Sequence, residues 1–162
     1  MYLIDTNVLI TANNHYYAFD LVPGFWSWLE DRVAAGTVGT VTKVRDEIWS
    51  GNDDDPVRQW VEQFDQFGRD PDDATVTAMR TIAAWAVGHN RYFAAAKNEF
   101  LRIADYYLVA DALAHGDTVV TLEESKPNKQ TKIQIPDVCA AFGVPVMGTF
   151  EMLRAEGASF GA

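Results

Sequence analysis

The first ten residues, MYLIDTNVLI, constrain this chain most. Tyr2, Leu3 and Ile4 form a short apolar run, Asp5-Thr6-Asn7 interrupts it at once, and Val8-Leu9-Ile10 resumes it. The pattern predicts a buried strand that ends at Asp5 and turns into a helix capped by Asp5 or Thr6. A carboxylate at the C-terminal end of a central parallel strand stands where open α/β sheets build their sites. Asp5 would equally serve as a plain helix cap.

The remainder alternates between the two periodicities. Pro23 suits a first helical position, Phe25, Trp26, Leu29 and Val33 recur at helical spacing, and Gly36 provides the stop. Residues 37–41 read as a second strand, and Thr42 as the cap of a helix through Val44, Ile48 and Trp49. Residues 56–67 read as a helix with Val57, Trp60, Val61 and Phe64 on one face. Asp72 or Asp73 caps a long helix through Val76, Met79, Ile82 and Ala86. Residues 89–102 show no clear period. Residues 103–116 form a strong helical pattern, 117–121 a strand, and 122–134 a polar loop. A helix from Ile135 to Phe142, a strand over 144–147 and a helix over 150–155 complete the chain. This alternation predicts a single α/β domain over residues 1–162, a three-layer α/β/α arrangement with a parallel sheet of four or five strands.

Composition narrows the class. No apolar run approaches the ~18 residues of a membrane span, and nothing resembles a secretory signal. Cys139 stands alone, so neither an internal disulfide nor a thiolate cluster is available, and it reads as a buried structural thiol. A soluble, cytoplasmic protein is expected. The formal net charge of −10 argues against broad adhesion to nucleic acid but not against a nuclease that gathers carboxylates locally. It also suits a partner with a basic segment. Between Gly51 and Asp73 eight acids (Asp53, Asp54, Asp55, Glu62, Asp65, Asp70, Asp72, Asp73) face two basic residues, which reads as a solvated face. His15, His89 and His115 lack zinc-site spacing, and no phosphate-loop, dinucleotide or serine-hydrolase motif occurs.

Four acids remain that adjoin element ends. Asp5 and Glu123 follow apolar strands, Glu47 lies near the end of the second main helix, and Asp105 opens the 103–116 helix. Such ends converge on one edge of an α/β sheet. Carboxylates sharing a cleft raise each other's pKa unless a cation joins them. All-oxygen donors suit Mg²⁺ or Mn²⁺, ions that activate water and neutralise a phosphodiester during in-line displacement. The chemistry implied is hydrolysis of a nucleic-acid backbone. Asp46 competes with Glu47, but adjacent helical residues point about 100° apart, so one of them faces the cleft. Asp111 lies about 240° round the helix from Asp105 and reads as a surface or packing residue.

With these motifs in view, the chain resembles the PIN-domain ribonucleases. YLIDTNVLI, an acid late in the second main helix, the ADYYLVADA helix and the VVTLE strand end occur in the order and approximate spacing of that family. A PIN-like branch is more similar still, through YYAFD…PGFWSWLE and the tail KIQIPDVCAAFGV…FEMLRAEGASF. The resemblance implies that Asp5, Glu47 and Asp105 bind metal. It implies the same for Glu123, where the family often has aspartate, with Glu124 in reserve. It also implies that Asn7 and Thr121 orient ligands or water. It further implies an endoribonuclease, the toxin of a toxin–antitoxin pair, with an antitoxin partner and homodimerisation. A catalytically weak RNA- or protein-binding module is the alternative. Arg91, Lys97 and Arg102 before Asp105, and Lys126, Lys129 and Lys132 after Glu123, could guide an RNA backbone or be ordinary loop charge. Tyr106 and Tyr107 either stack on a base or pack in the core. Trp26 and Trp28 cannot share one face, so one lies toward the surface, in a satellite core or an interface.

Overall fold

A computed structural model describes residues 1–64 and 66–160. The first strand, β1 (Tyr2–Ile4), is the centre of a five-stranded, all-parallel sheet. With β2 (Val38–Val41), β3 (Gly68–Arg69), β4 (Thr118–Val120) and β5 (Val146–Met147), the order across the sheet is β3-β2-β1-β4-β5. β1 pairs Leu3 with Gly39 on one side and with Val119 on the other. Leu3 and Ile4 are therefore covered all round and read as an unbroken apolar run, as parallel strands do.

Helices cover the sheet in a three-layer α/β/α fold. The first three are α1 (Thr6–Thr11), α2 (Pro23–Ala34) and α3 (Thr42–Trp49). Then come α4 (Pro56–Val61), α5 (Asp73–Gly88) and α6 (Ala94–Phe100). The last three are α7 (Ala104–His115), α8 (Ile135–Phe142) and α9 (Thr149–Ala155). A π-helical turn, Ala12–Tyr16, prolongs α1. α2 buries the four apolar residues read from its period, with Pro23 at its first position. Trp26 is buried, stacks on Phe19 and meets Trp60 edge-on, while Trp28 is half-buried against Phe25 and Phe160. The aromatic cluster is thus part of the main hydrophobic core rather than a satellite.

Several expectations need correction. Thr42 is the first residue of α3 rather than its cap, and its hydroxyl donates to Asp70 instead. α4 ends at Val61, six residues short of Phe67, because the chain turns there to supply β3. β3 itself has no apolar signature. Gly68 is needed there because a Cβ would come within 3.1 Å of the Thr42 Cα. Residues 94–100 form a regular helix, and Val76 is exposed while Thr75, Ala78, Ile82 and Ala86 form the buried face of α5. The acids of 53–73 do more than meet solvent. Asp55 and Asp72 cap α4 and α5, and Asp53 and Glu62 flank Arg58, while Asp65 lies outside the described residues. Cys139 is fully buried, which pushes its thiol up to about 12.

The chain winds outward from β1 through β2 to β3, then returns to β4 on the other side of β1. The reversal point is the crevice beyond β1 and β4, where ligands of open α/β sheets bind. No helix among the described residues is long and apolar enough to cross a membrane.

Candidate functional site

Asp5 is the first residue after β1, and its backbone N–H still donates to the Val120 carbonyl at 2.9 Å. The strand ladder thus extends one residue too far for a simple cap, and Asp5 makes no side-chain capping bond to α1. Its carboxylate turns across the reversal point and accepts from Thr121 Oγ1 at 3.0 Å. Asp5 is 2% exposed, so burial pushes its pKa up to about 6; the Thr121 hydrogen bond opposes this, and the charges of Glu123 and Glu47 add to it.

Glu47 reaches the same place from α3. Its Oε2 accepts from Thr6 Oγ1 at 3.0 Å and its Oε1 from the Ala104 N–H at 3.2 Å. It thereby ties α1 to the first turn of α7, where the helix dipole is positive. Asp46, its neighbour, points elsewhere and lies 4.0 Å from Arg45. Asp105 follows Ala104 in that turn and makes no hydrogen bond or ion pair among the described residues. Burial first, then the charges of Asp5 and Glu123, push its carboxyl up to about 7; Lys132 pulls it back and Glu47 adds to the rise. Glu123 accepts from the Ile135 N–H at the start of α8 at 2.8 Å and is ion-paired with Lys132. The Glu123 N–H donates in turn to Thr121 Oγ1 at 3.1 Å.

The structure therefore brings Asp5, Glu47, Asp105 and Glu123 into one electrostatic cluster, with Thr121 bridging two of them. Glu124 is exposed and faces an adjoining cavity rather than the acids, and Asn7 is exposed at the α1 surface. Of the two roles read for Asp111, packing holds: it is fully buried, accepts from Thr75 Oγ1 at 2.8 Å and pairs with Arg69. Tyr106 is buried with its hydroxyl on the Met79 carbonyl.

Three of the six basic residues suggested as an RNA path are occupied locally. Arg91 donates to the Pro127 carbonyl and stacks on Tyr92, Lys97 donates to the Val87 carbonyl and Arg102 to the Asn98 carbonyl. Lys126 is exposed and Lys129 half-buried in the loop after β4. Lys132 is the exception. Burial works against its charge, but the hydrogen bond and charge of Glu123, with Asp105 and Asp5 behind, outweigh it and hold its pKa above the usual lysine range. It is the resident cation of the cluster, and its nine-residue distance from Glu123 in a polar loop gave no sign of that.

Chemically the site offers four carboxylates and one ammonium. The donors are all oxygen, one is unpartnered, and two hold their protons above the ordinary range; this is the composition that a divalent cation completes. Among the described residues no three acids, histidines or cysteines already stand close enough to grip one ion. Beside the acids opens a cavity of about 540 Å³, walled by the inner face of α1, the π-turn, the loop after β4 and the start of α9.

No match was found among the curated proteins or the solved structures compared. A family profile described as "Domain of unknown function (DUF4411)" matches residues 2–160. That span runs from β1 past α9 and includes all four acids and Lys132, so the chain belongs to the DUF4411 family.

Proposed function

We propose that this protein is a PIN-like, Mg²⁺- or Mn²⁺-dependent endoribonuclease. The observation that carries the reading is the pairing of Asp5 with Asp105. Asp5 is buried and Asp105 half-buried at the strand-reversal crevice, both have raised pKa values, Asp5 raises Asp105, and the same two glutamates raise both. Carboxylates whose proximity costs stability, with Asp105 making no hydrogen bond or ion pair among the described residues, are the mark of a site. Asp5 and Asp105 would hold the metal, with Glu47 and Glu123 completing the shell. When bound, the ion supplies an activated water and neutralises phosphodiester charge. The chain's own contributions are distinct. Thr121 fixes the Asp5 carboxylate, Glu47 is fastened between Thr6 and the α7 N-terminus, and Lys132 presents a positive charge to a phosphate. A cytoplasmic toxin held in check by an antitoxin fits the net charge of −10, which favours a partner with a basic segment. Homodimerisation belongs to the same reading.

The second reading is a binding module with little turnover. The Lys132–Glu123 pair favours it, because an internal ammonium already neutralises one of the four acids.

Cleavage of a panel of structured RNAs and single-stranded DNA, with Mg²⁺, Mn²⁺ or chelator, separates the two. Metal-dependent RNA cleavage is expected from the wild type and from neither Asp5→Asn nor Asp105→Asn. Tight RNA binding with no cleavage under any metal would leave the binding module.

A further inference from the structure

The cavity beside the acids is not explained by them. Its volume of about 540 Å³ falls in the range of small-ligand sites. Thr121 and Glu123 belong both to its wall and to the acid cluster, so an occupant lies next to the carboxylates. Three features describe that occupant. Tyr16 on the π-turn and Phe150 on α9 meet edge-to-face at 5.5 Å yet stay 56% and 46% exposed, which leaves aromatic surface free for a flat ring. Thr149 lines the wall but is only 8% exposed, and its Oγ1 is closed off from solvent, so the wall there is effectively apolar. Arg154 lines the wall and makes no hydrogen bond or ion pair among the described residues. Of the three acids in the wall, Glu123 is paired with Lys132, Glu151 accepts from the Gly148 N–H, and Glu124 is exposed.

We propose that this cavity is a nucleobase pocket, which takes one unstacked base of a single-stranded RNA. A base stacks on Tyr16 or Phe150, and Arg154 meets a flanking phosphate. An aliphatic side chain from a protein partner would fill the space but leave Arg154 without a counter-charge. The direction of the adjoining phosphate, toward Asp5 and Asp105, rests on the ribonuclease reading; binding of the base does not.

The test is calorimetric titration of the full chain, without divalent metal, using the four nucleoside 5′-monophosphates and ribose 5-phosphate as the base-free control. At least one nucleotide is expected to bind while ribose 5-phosphate does not. Phe150→Ala, a change at an exposed residue, should weaken binding roughly tenfold, and Arg154→Met should weaken it several-fold by removing the phosphate contact. Asp105→Asn should retain binding. Absence of binding by all four nucleotides at millimolar concentration, or binding indifferent to both pocket variants, overturns the proposal. In the first case the apolar rim is a protein-docking surface. Nucleotide binding through the pocket without RNA cleavage would keep the pocket and discard the nuclease. Cleavage unaffected by Phe150→Ala and Arg154→Met would do the reverse.

Discussion

Asp105 keeps its proton in the folded chain up to about pH 7, whereas the free side chain ionises near 3.8. Between those values the native state binds more protons than the unfolded one, so this residue makes stability fall as pH rises, and above about pH 7 the deficit is complete. Asp105→Asn removes it. The metal-free variant should therefore melt higher than the wild type near pH 8, by on the order of 2 kcal/mol, and no higher near pH 4. Equal melting at both pH values would show that Asp105 bears no electrostatic burden. Mg²⁺ or Mn²⁺ at about a hundred times its dissociation constant should raise wild-type stability by about 3 kcal/mol, with the gain lost in Asp5→Asn. Lys132→Met should cost about 1 kcal/mol, since the pair is only partly shielded. It should also move the Asp105 titration further up, as read by carboxyl NMR. At this scale the acids were legible because each adjoins an element end. Lys132 was not, because a lysine in a polar loop carries no local mark of where the loop folds back.

At the scale of elements, the site depends on where helices begin. Glu47 holds the first turn of α7 and Glu123 that of α8, so the carboxylates stand at positive helix ends as well as near one another. The other end of α7 is set by Gly116, whose φ of +68° an L side chain adopts only under strain. Gly116→Ala should cost about 1 kcal/mol in urea denaturation without altering the residues at the acid cluster. Elements with strong periodicity, α2, α5 and α7, could be read directly. β3 could not: two residues, Gly68 and Arg69, owe their strand geometry to β2 beside them and to the close approach of α3, which are tertiary facts. The same holds for α4, whose apolar face continues to Phe64 although the helix has stopped.

At the scale of the molecule, a second charged cluster braces the C-terminal half of α7. Arg69 on the edge strand pairs with the fully buried Asp111, which also accepts from Thr75 on α5, and with Asp117 before β4. Burial disfavours the Asp117 carboxylate, but hydrogen bonds from the N-terminal ammonium and Arg69 outweigh it and hold its pKa below the usual range. Arg69→Met would strand Asp111 in the core and should cost about 3 kcal/mol or more in denaturant midpoint. An unchanged midpoint would mean that Thr75 and His115 alone satisfy the acid. The helical pattern placed Asp111 away from Asp105, yet it could not foresee this pairing, because Arg69 is 42 residues distant in a segment with no period.

The bond from Thr121 to Asp5 closes over 116 residues. Seen from the ribosome, this is a schedule. The acids leave in the order 5, 47, 105 and 123, and the hydroxyl that seats the first of them is made only when about three quarters of the chain exists. Glu47 has its partners on α1 and α7 before then, but Asp5 has no hydroxyl to seat it until β4 docks beside β1. A partner that recognises all four acids therefore meets a chain whose central strands are already paired.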